Sequence, residues 1–144
     1  TPALSSAASD VYKRQLCLIA GGVMPLIVDI SPSHLLNPSW EPHARLHEVW
    51  RLSTNTLIFS LGIYLLWIKK REVLSAIMSL CILAGFVIAE MLMPLYGGDT
   101  VSLGVVEPEI LHIPIGVFMF YSAFIIQIFT LSLLRYTQAK PKDL

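Results

Sequence analysis

The sequence predicts an all-α integral membrane four-helix bundle, and three observations carry that prediction. Of the 144 residues, 55% are hydrophobic and 14% charged, against a charged share of about a quarter in ordinary soluble domains; the mean hydropathy is +0.68. Four apolar runs, at 16–30, 48–68, 73–95 and 113–134, approach the length of about 20 residues that a bilayer-crossing helix needs. Basic residues gather after the second and fourth runs, as Lys69, Lys70 and Arg71 and again as Arg135, Lys140 and Lys142, which is the cytoplasmic bias of short membrane loops. The domain plan is one transmembrane domain at 16–136 between two tails, 1–15 and 137–144.

Residues 1–15 are polar and rich in Ser and Ala, and are expected to be a non-native or disordered tail; the other reading is a genuine cytosolic tail ending in Lys13 and Arg14. The first span, at 16–30, is short, and Gly21, Gly22 and Pro25 let it kink or pack closely. Asp29 lies at its far end, as a ligand, an acid–base group or a helix cap.

A loop at 31–41 follows, broken by Pro32 and Pro38. Pro42 is expected to open the next helix, because its fixed φ and missing N–H suit the first helical position. From that start His43 and His47 share a face with Arg51 and, with some drift, Asn55. The second span runs over 48–68 and the third over 73–95. Small residues at Ser75, Ser79, Gly85 and Ala89 permit close helix contact there, and Glu90 comes one turn before Pro94.

The next loop, 96–108, is turned by Gly97, Gly98 and Asp99. Glu109-x-x-His112 has the i, i+3 spacing that di-iron bundles use in pairs. Should Pro114 open the fourth helix instead, both residues fall in the loop and the spacing carries nothing. The span at 113–134 and a cytoplasmic tail at 137–144 complete the chain.

The basic ends place both termini in the cytoplasm of a multi-pass protein, in a bacterium at the inner membrane. Asp29, His34, His43, Arg45, His47, Glu48, Arg51, Glu90, Asp99, Glu107, Glu109 and His112 then all fall on or near the outer face. That set includes every histidine in the chain. The expected site is an outward-opening pocket. Polar and ionisable groups inside a membrane are costly and mark function by default.

Two chemistries suit such a pocket. In acid–base work on a lipophilic small molecule, His43 or His47 relays protons, Glu90 or Asp29 serves as a desolvated acid, and Arg51 holds a counter-charge. His34, Asn37, Trp40, Arg45, Glu48, Asn55, Glu109 and His112 are the candidate ligand-binding residues around them. The bland alternative for Arg51 and Glu90 is a structural interhelical ion pair, and for Trp40 a membrane-level anchor. In the second chemistry a divalent metal (zinc, iron or copper) is held by donors drawn from His43, His47, Glu90 and His112. Enzymatic turnover and plain binding share the pocket, and a structural subunit of a membrane complex is the third class. Membrane lipids, a lipophilic small molecule and a second copy of the chain are the candidate partners. Ten basic residues balanced by ten acidic ones argue against nucleic acid, which requires a basic patch. Cys17 and Cys81 stand alone in apolar runs, without the spacing of a redox pair.

The run at 34–47 resembles the His-x-x-Asn-Pro-x-Trp-x-Pro-His-Ala-Arg-x-His signature of a family of small, uncharacterised four-span bacterial membrane proteins. That resemblance implies a four-span fold with a site at the motif, and no reaction. A looser likeness, of architecture alone, is to the sterol isomerase and sigma-2 receptor-like bundles, which place His, Glu and Asp inside a lipid-accessible cavity.

Overall fold

A computed structural model of the chain describes residues 18, 19, 21–101 and 106–139. It is mostly helical. In chain order the elements are α1 (Met24–Asp29), α2 (Pro42–Trp67), α3 (Glu72–Tyr96), a short ribbon of β1 (Glu109–Ile110) and β2 (Ile113–Pro114), and α4 (Ile115–Ala139). Residues 18, 19, 21 and 22 are helical as well. The tail expected at 1–15 lies outside the described residues, as does the expected tail from 140 onward, whereas 137–139 continue α4.

Local chemistry sets the helix ends. Glu41 is held extended at φ −59°, ψ 144°, as the residue before a proline prefers, and Pro42 then opens α2 at its first position, as expected from the sequence. Pro25 stands one residue further in, at the second position of α1. α2 stops where Lys70 turns left-handed at φ 53° and the Arg71 N–H donates back to the Leu65 carbonyl at 2.8 Å. α3 begins with Glu72 in its first turn, where a carboxylate complements the helix dipole. It ends at Gly97, whose φ of 69° is left-handed and whose N–H donates to the Met93 carbonyl at 3.0 Å.

α3 packs against both α2 and α4. Hydrogen bonds cross each interface: Ser75 Oγ donates to the Gly62 carbonyl at 2.9 Å, and Gln127 Nε2 to the Ala76 carbonyl at 2.9 Å. The Glu90–Tyr121 and Ala76–Gln127 pairs show α3 and α4 to be antiparallel, since the later residue of α3 meets the earlier residue of α4. Apolar packing centres on Leu83 and Ala123 with Phe120 and Phe124 around them, and Phe86 stacks on Phe120 at 4.2 Å between ring centroids.

The N-terminal segment touches both α2 and α3 through glycines. A Cβ added at Gly21 would lie 2.9 Å from Ile82 Cγ2, and one at Gly22 would lie 2.3 Å from Phe59 Cβ. Leu18, 1% exposed, fits against Gly62, where an added Cβ would come within 2.8 Å of its Cδ2. Half of the small-residue stripe expected on α3 is used in this way: Ser75 and Ser79 are buried. Gly85 and Ala89 are exposed, and an added Cβ at Gly85 meets nothing within 4 Å.

Among the described residues, two helices are long and apolar enough to cross a membrane: α3, with a mean hydropathy of 2.3, and 115–136 of α4, with 2.0. At 25 residues, α3 is about 37 Å long, against an apolar bilayer core of about 30 Å. Only 22% of either apolar window is buried. Ile88, Met91, Leu92 and Leu95 on α3 and Ile125, Ile126 and Phe129 on α4 remain exposed. Four spans were expected, and among the described residues α1 and α2 do not reach this standard. The 26-residue α2 is long enough, but His43, Arg45, His47, Glu48 and Arg51 make its first half polar. α1 has six residues.

The expected start of the fourth helix at 113 also shifts. β1 and β2 pair antiparallel, Glu109 with Pro114 and Ile110 with Ile113, and α4 starts at Ile115. The two residues between the strands, Leu111 and His112, both have positive φ, 54° and 64°, as a two-residue hairpin of the mirror-image type requires. Neither is the Asn or Gly usual in that turn.

Candidate functional site

Much of the 34–47 motif builds its own loop. Asn37 Oδ1 accepts the Ser39 N–H at 3.0 Å and the Ser39 hydroxyl at 2.7 Å, an Asx turn around Pro38. Arg45, one turn into α2, reaches back so that its Nη2 donates to the carbonyls of Pro38 and Trp40, each at 3.1 Å. The Leu35 N–H donates to the Asp29 carbonyl at 3.0 Å, which ties the loop to the end of α1. Asn37 and Arg45, expected to bind ligand, thus also shape the loop.

What this loop positions is a chain of charged groups across α1 and α2. Arg51 pairs with Asp29 and with Glu48, and its Nε donates to Glu48 Oε2 at 3.0 Å. Glu48 and Arg51 are three apart on one helix, so they are neighbours on its surface; Asp29 comes from 22 residues earlier. His34 extends the chain, with Nε2 4.0 Å from Asp29 Oδ1 and Nδ1 3.0 Å from the Ser33 hydroxyl oxygen. The Asp29 and Glu48 side chains are 16% and 13% exposed, that of Arg51 43%. Two carboxylates and one guanidinium leave the trio with one excess negative charge.

The remaining candidates lie elsewhere. His43 and His47 sit on one exposed face with Nε2 atoms 3.0 Å apart, one ring donating to the other, and His47 stacks on Trp50 at 6.0 Å between centroids. Glu90 does not meet Arg51, so the interhelical ion pair entertained for them is replaced: Glu90 accepts a hydrogen bond from the Tyr121 hydroxyl. Glu109 and His112 face each other at 4.0 Å on the exposed ribbon rather than on a helix, because the turn at 111–112 interrupts the chain there. No side-chain hydrogen bond joins Asn55 to another described residue. Among the described residues, no three His, Cys, Asp or Glu side chains come close enough to hold a metal ion. The four metal candidates His43, His47, Glu90 and His112 are thus not gathered into a common centre.

Two cavities flank the loop. One, of about 560 Å³, is lined by Ser33, His34, Asn37, Ser39, Trp40, Asp99, Thr100 and Val101; His34 and Trp40 meet edge to face there at 6.5 Å. The other, of about 400 Å³, is an apolar groove lined by Leu26, Ile30, Leu35, Val49, Leu52, Ser53, Thr56 and Leu57. Its walls are chain neighbours of the charged groups: Ile30 follows Asp29, Val49 follows Glu48, Leu52 follows Arg51.

Sequence reasoning missed Ser33, Thr100 and the groove residues, which carry no motif. Tyr121 had a signal. It lies six residues into α4 from Ile115, and Glu90 lies six residues before α3 ends at Tyr96. Antiparallel neighbours at equal distance from the same end, about 9 Å in each case, are placed to meet. Comparison of the chain with family models, with curated proteins and with solved structures yields no match.

Proposed function

We propose that this chain is a multi-pass membrane protein that binds a lipophilic small molecule with a cationic or hydrogen-bond-donating head, at the face opposite the Lys69–Arg71 turn. The observation that carries the proposal is the apolar groove lined by neighbours of the Asp29–Arg51–Glu48 chain. A groove of about 400 Å³ is within the usual range for small-ligand sites, about 300–1,000 Å³. The excess negative charge beside it selects the head group by complementarity. His34, which lines the neighbouring cavity, touches this chain of charges through Asp29.

Membrane residence draws on the hydropathy and exposure of α3 and α4. With α2 and the N-terminal segment as further spans, a four-helix bundle results, consistent with the motif resemblance at 34–47. The basic turn at 69–71 faces the cytoplasm, and the site faces outward from a bacterial inner membrane.

Thermal unfolding in a neutral detergent tests the binding. Dodecylamine should raise the Tm of the wild type, by the equivalent of about 2.7 kcal/mol at a hundredfold excess over Kd, and dodecanoate should not. Val49→Trp, which narrows the groove, should abolish the amine effect. Equal responses to the two amphiphiles, or an undiminished response in Val49→Trp, would contradict this reading.

A further inference from the structure

We propose that His43 and His47 form a two-imidazole chelate for a divalent metal of tetragonal preference, copper(II) or nickel(II), on the exposed first turns of α2. This site is separate from the groove and independent of what the groove binds. The four-residue step puts both rings on one face of the helix, both residues are exposed, and the Nε2 atoms are 3.0 Å apart with ring planes at 90°.

That spacing is informative. Two nitrogens each about 2.0–2.1 Å from a metal lie about 2.9 Å apart when they subtend a right angle and about 3.3 Å apart at the tetrahedral angle. The observed 3.0 Å is the length of the hydrogen bond between the rings, and it already holds the two nitrogens near the separation of cis ligands in square-planar or tetragonal coordination, for which imidazole suits copper and nickel. The hydrogen bond between the rings now places one proton between the two nitrogens. Binding moves that proton to Nδ1 of its own ring, so that both Nε2 lone pairs face the cation. Two waters leave the metal, no net proton is released, and no oxidation state changes. The other coordination positions stay open to solvent, which makes this an exchangeable surface site and not the three-ligand centre that the described residues do not assemble.

Copper EPR of the purified full chain in detergent is the direct test. With one equivalent of copper(II), the wild type should show hyperfine splitting from two equatorial imidazole nitrogens, and His43→Gln or His47→Gln only from one. Loss of one arm of a chelate should weaken binding on the order of 100-fold. Because His47 stacks on Trp50, bound copper should also quench indole fluorescence saturably, and Trp50→Phe should remove most of that quenched component while leaving affinity unchanged. His112→Gln, which removes a fully exposed single imidazole, should titrate as the wild type does. An unchanged spectrum and midpoint in both His43→Gln and His47→Gln, with circular dichroism showing both folded, would overturn the proposal, as would quenching that never saturates.

Discussion

Arg51→Met should destabilise the protein by about 2–3 kcal/mol, measured by unfolding in detergent. Its guanidinium is the partner of both Asp29 and Glu48, whose side chains are 16% and 13% exposed. Removing it leaves two largely buried carboxylates facing each other with no counter-charge. Breaking a buried pair in this way costs about 3–5 kcal/mol, and the 43% exposure of the Arg51 side chain lets water take up part of that. The cost belongs to the stranded charges rather than to lost packing. Adding Asp29→Asn to Arg51→Met should therefore recover about half of the loss, and adding Glu48→Gln as well should recover most of the rest. Arg51→Lys should fall between wild type and Met, since a single ammonium cannot reproduce the two-sided fork. A loss in Arg51→Met that neither carboxylate substitution relieves would show that the chain of charges is not what holds α1 to α2.

Gly22→Ala should be comparably damaging, and Gly85→Ala should not. A Cβ at position 22 would stand 2.3 Å from Phe59 Cβ and 2.5 Å from its Cγ. Rotation of the Phe59 ring cannot relieve a clash with its own Cβ, so the backbones must separate. Overpacking of this kind costs about 1–3 kcal/mol, and a clash with an atom fixed to the backbone belongs at the upper end. Phe59→Gly loses core contacts of its own but removes Cβ, Cγ and the ring. The Gly22→Ala/Phe59→Gly double variant should consequently be less destabilised than the sum of the single ones, with a coupling of about 0.5–3 kcal/mol. At position 85 an added Cβ meets nothing within 4 Å, and exchanging Gly for Ala in a helix gains about 1 kcal/mol of propensity. Identical losses at 22 and 85 would mean that the N-terminal segment does not lie against α2 as described.

Local rules made the start of α2 and the end of α3 legible in the sequence. Pro42 behaves as a first-position proline, and Gly97 closes α3, because both effects depend only on a residue and its immediate neighbours. The clustering of charge at 29–51 was legible too, but its pairing was not. Glu48 is within one turn of Arg51 on the same helix, but Asp29 and Arg51 are 22 residues apart, and only the approach of the end of α1 to α2 decides that they meet. Roles inside the motif were hidden for a related reason. Asn37 and Arg45, ligand-binding candidates by chemistry, also satisfy loop hydroxyls and carbonyls, as unpaired backbone groups demand. The ribbon at 109–114 left no trace because Leu111 and His112 adopt positive φ without the Gly or Asn that ordinarily announces such a turn.

The central claim is a membrane-embedded chain with its polar site and its basic turn on opposite sides. Single-cysteine variants His43→Cys and Lys70→Cys, each in a Cys17→Ser/Cys81→Ser background, test it in intact bacterial cells treated with a membrane-impermeant maleimide. Position 43 should label from outside, and position 70 only after the membrane is permeabilised. Labelling of position 70 in intact cells, or recovery of the protein in the soluble fraction, would contradict it.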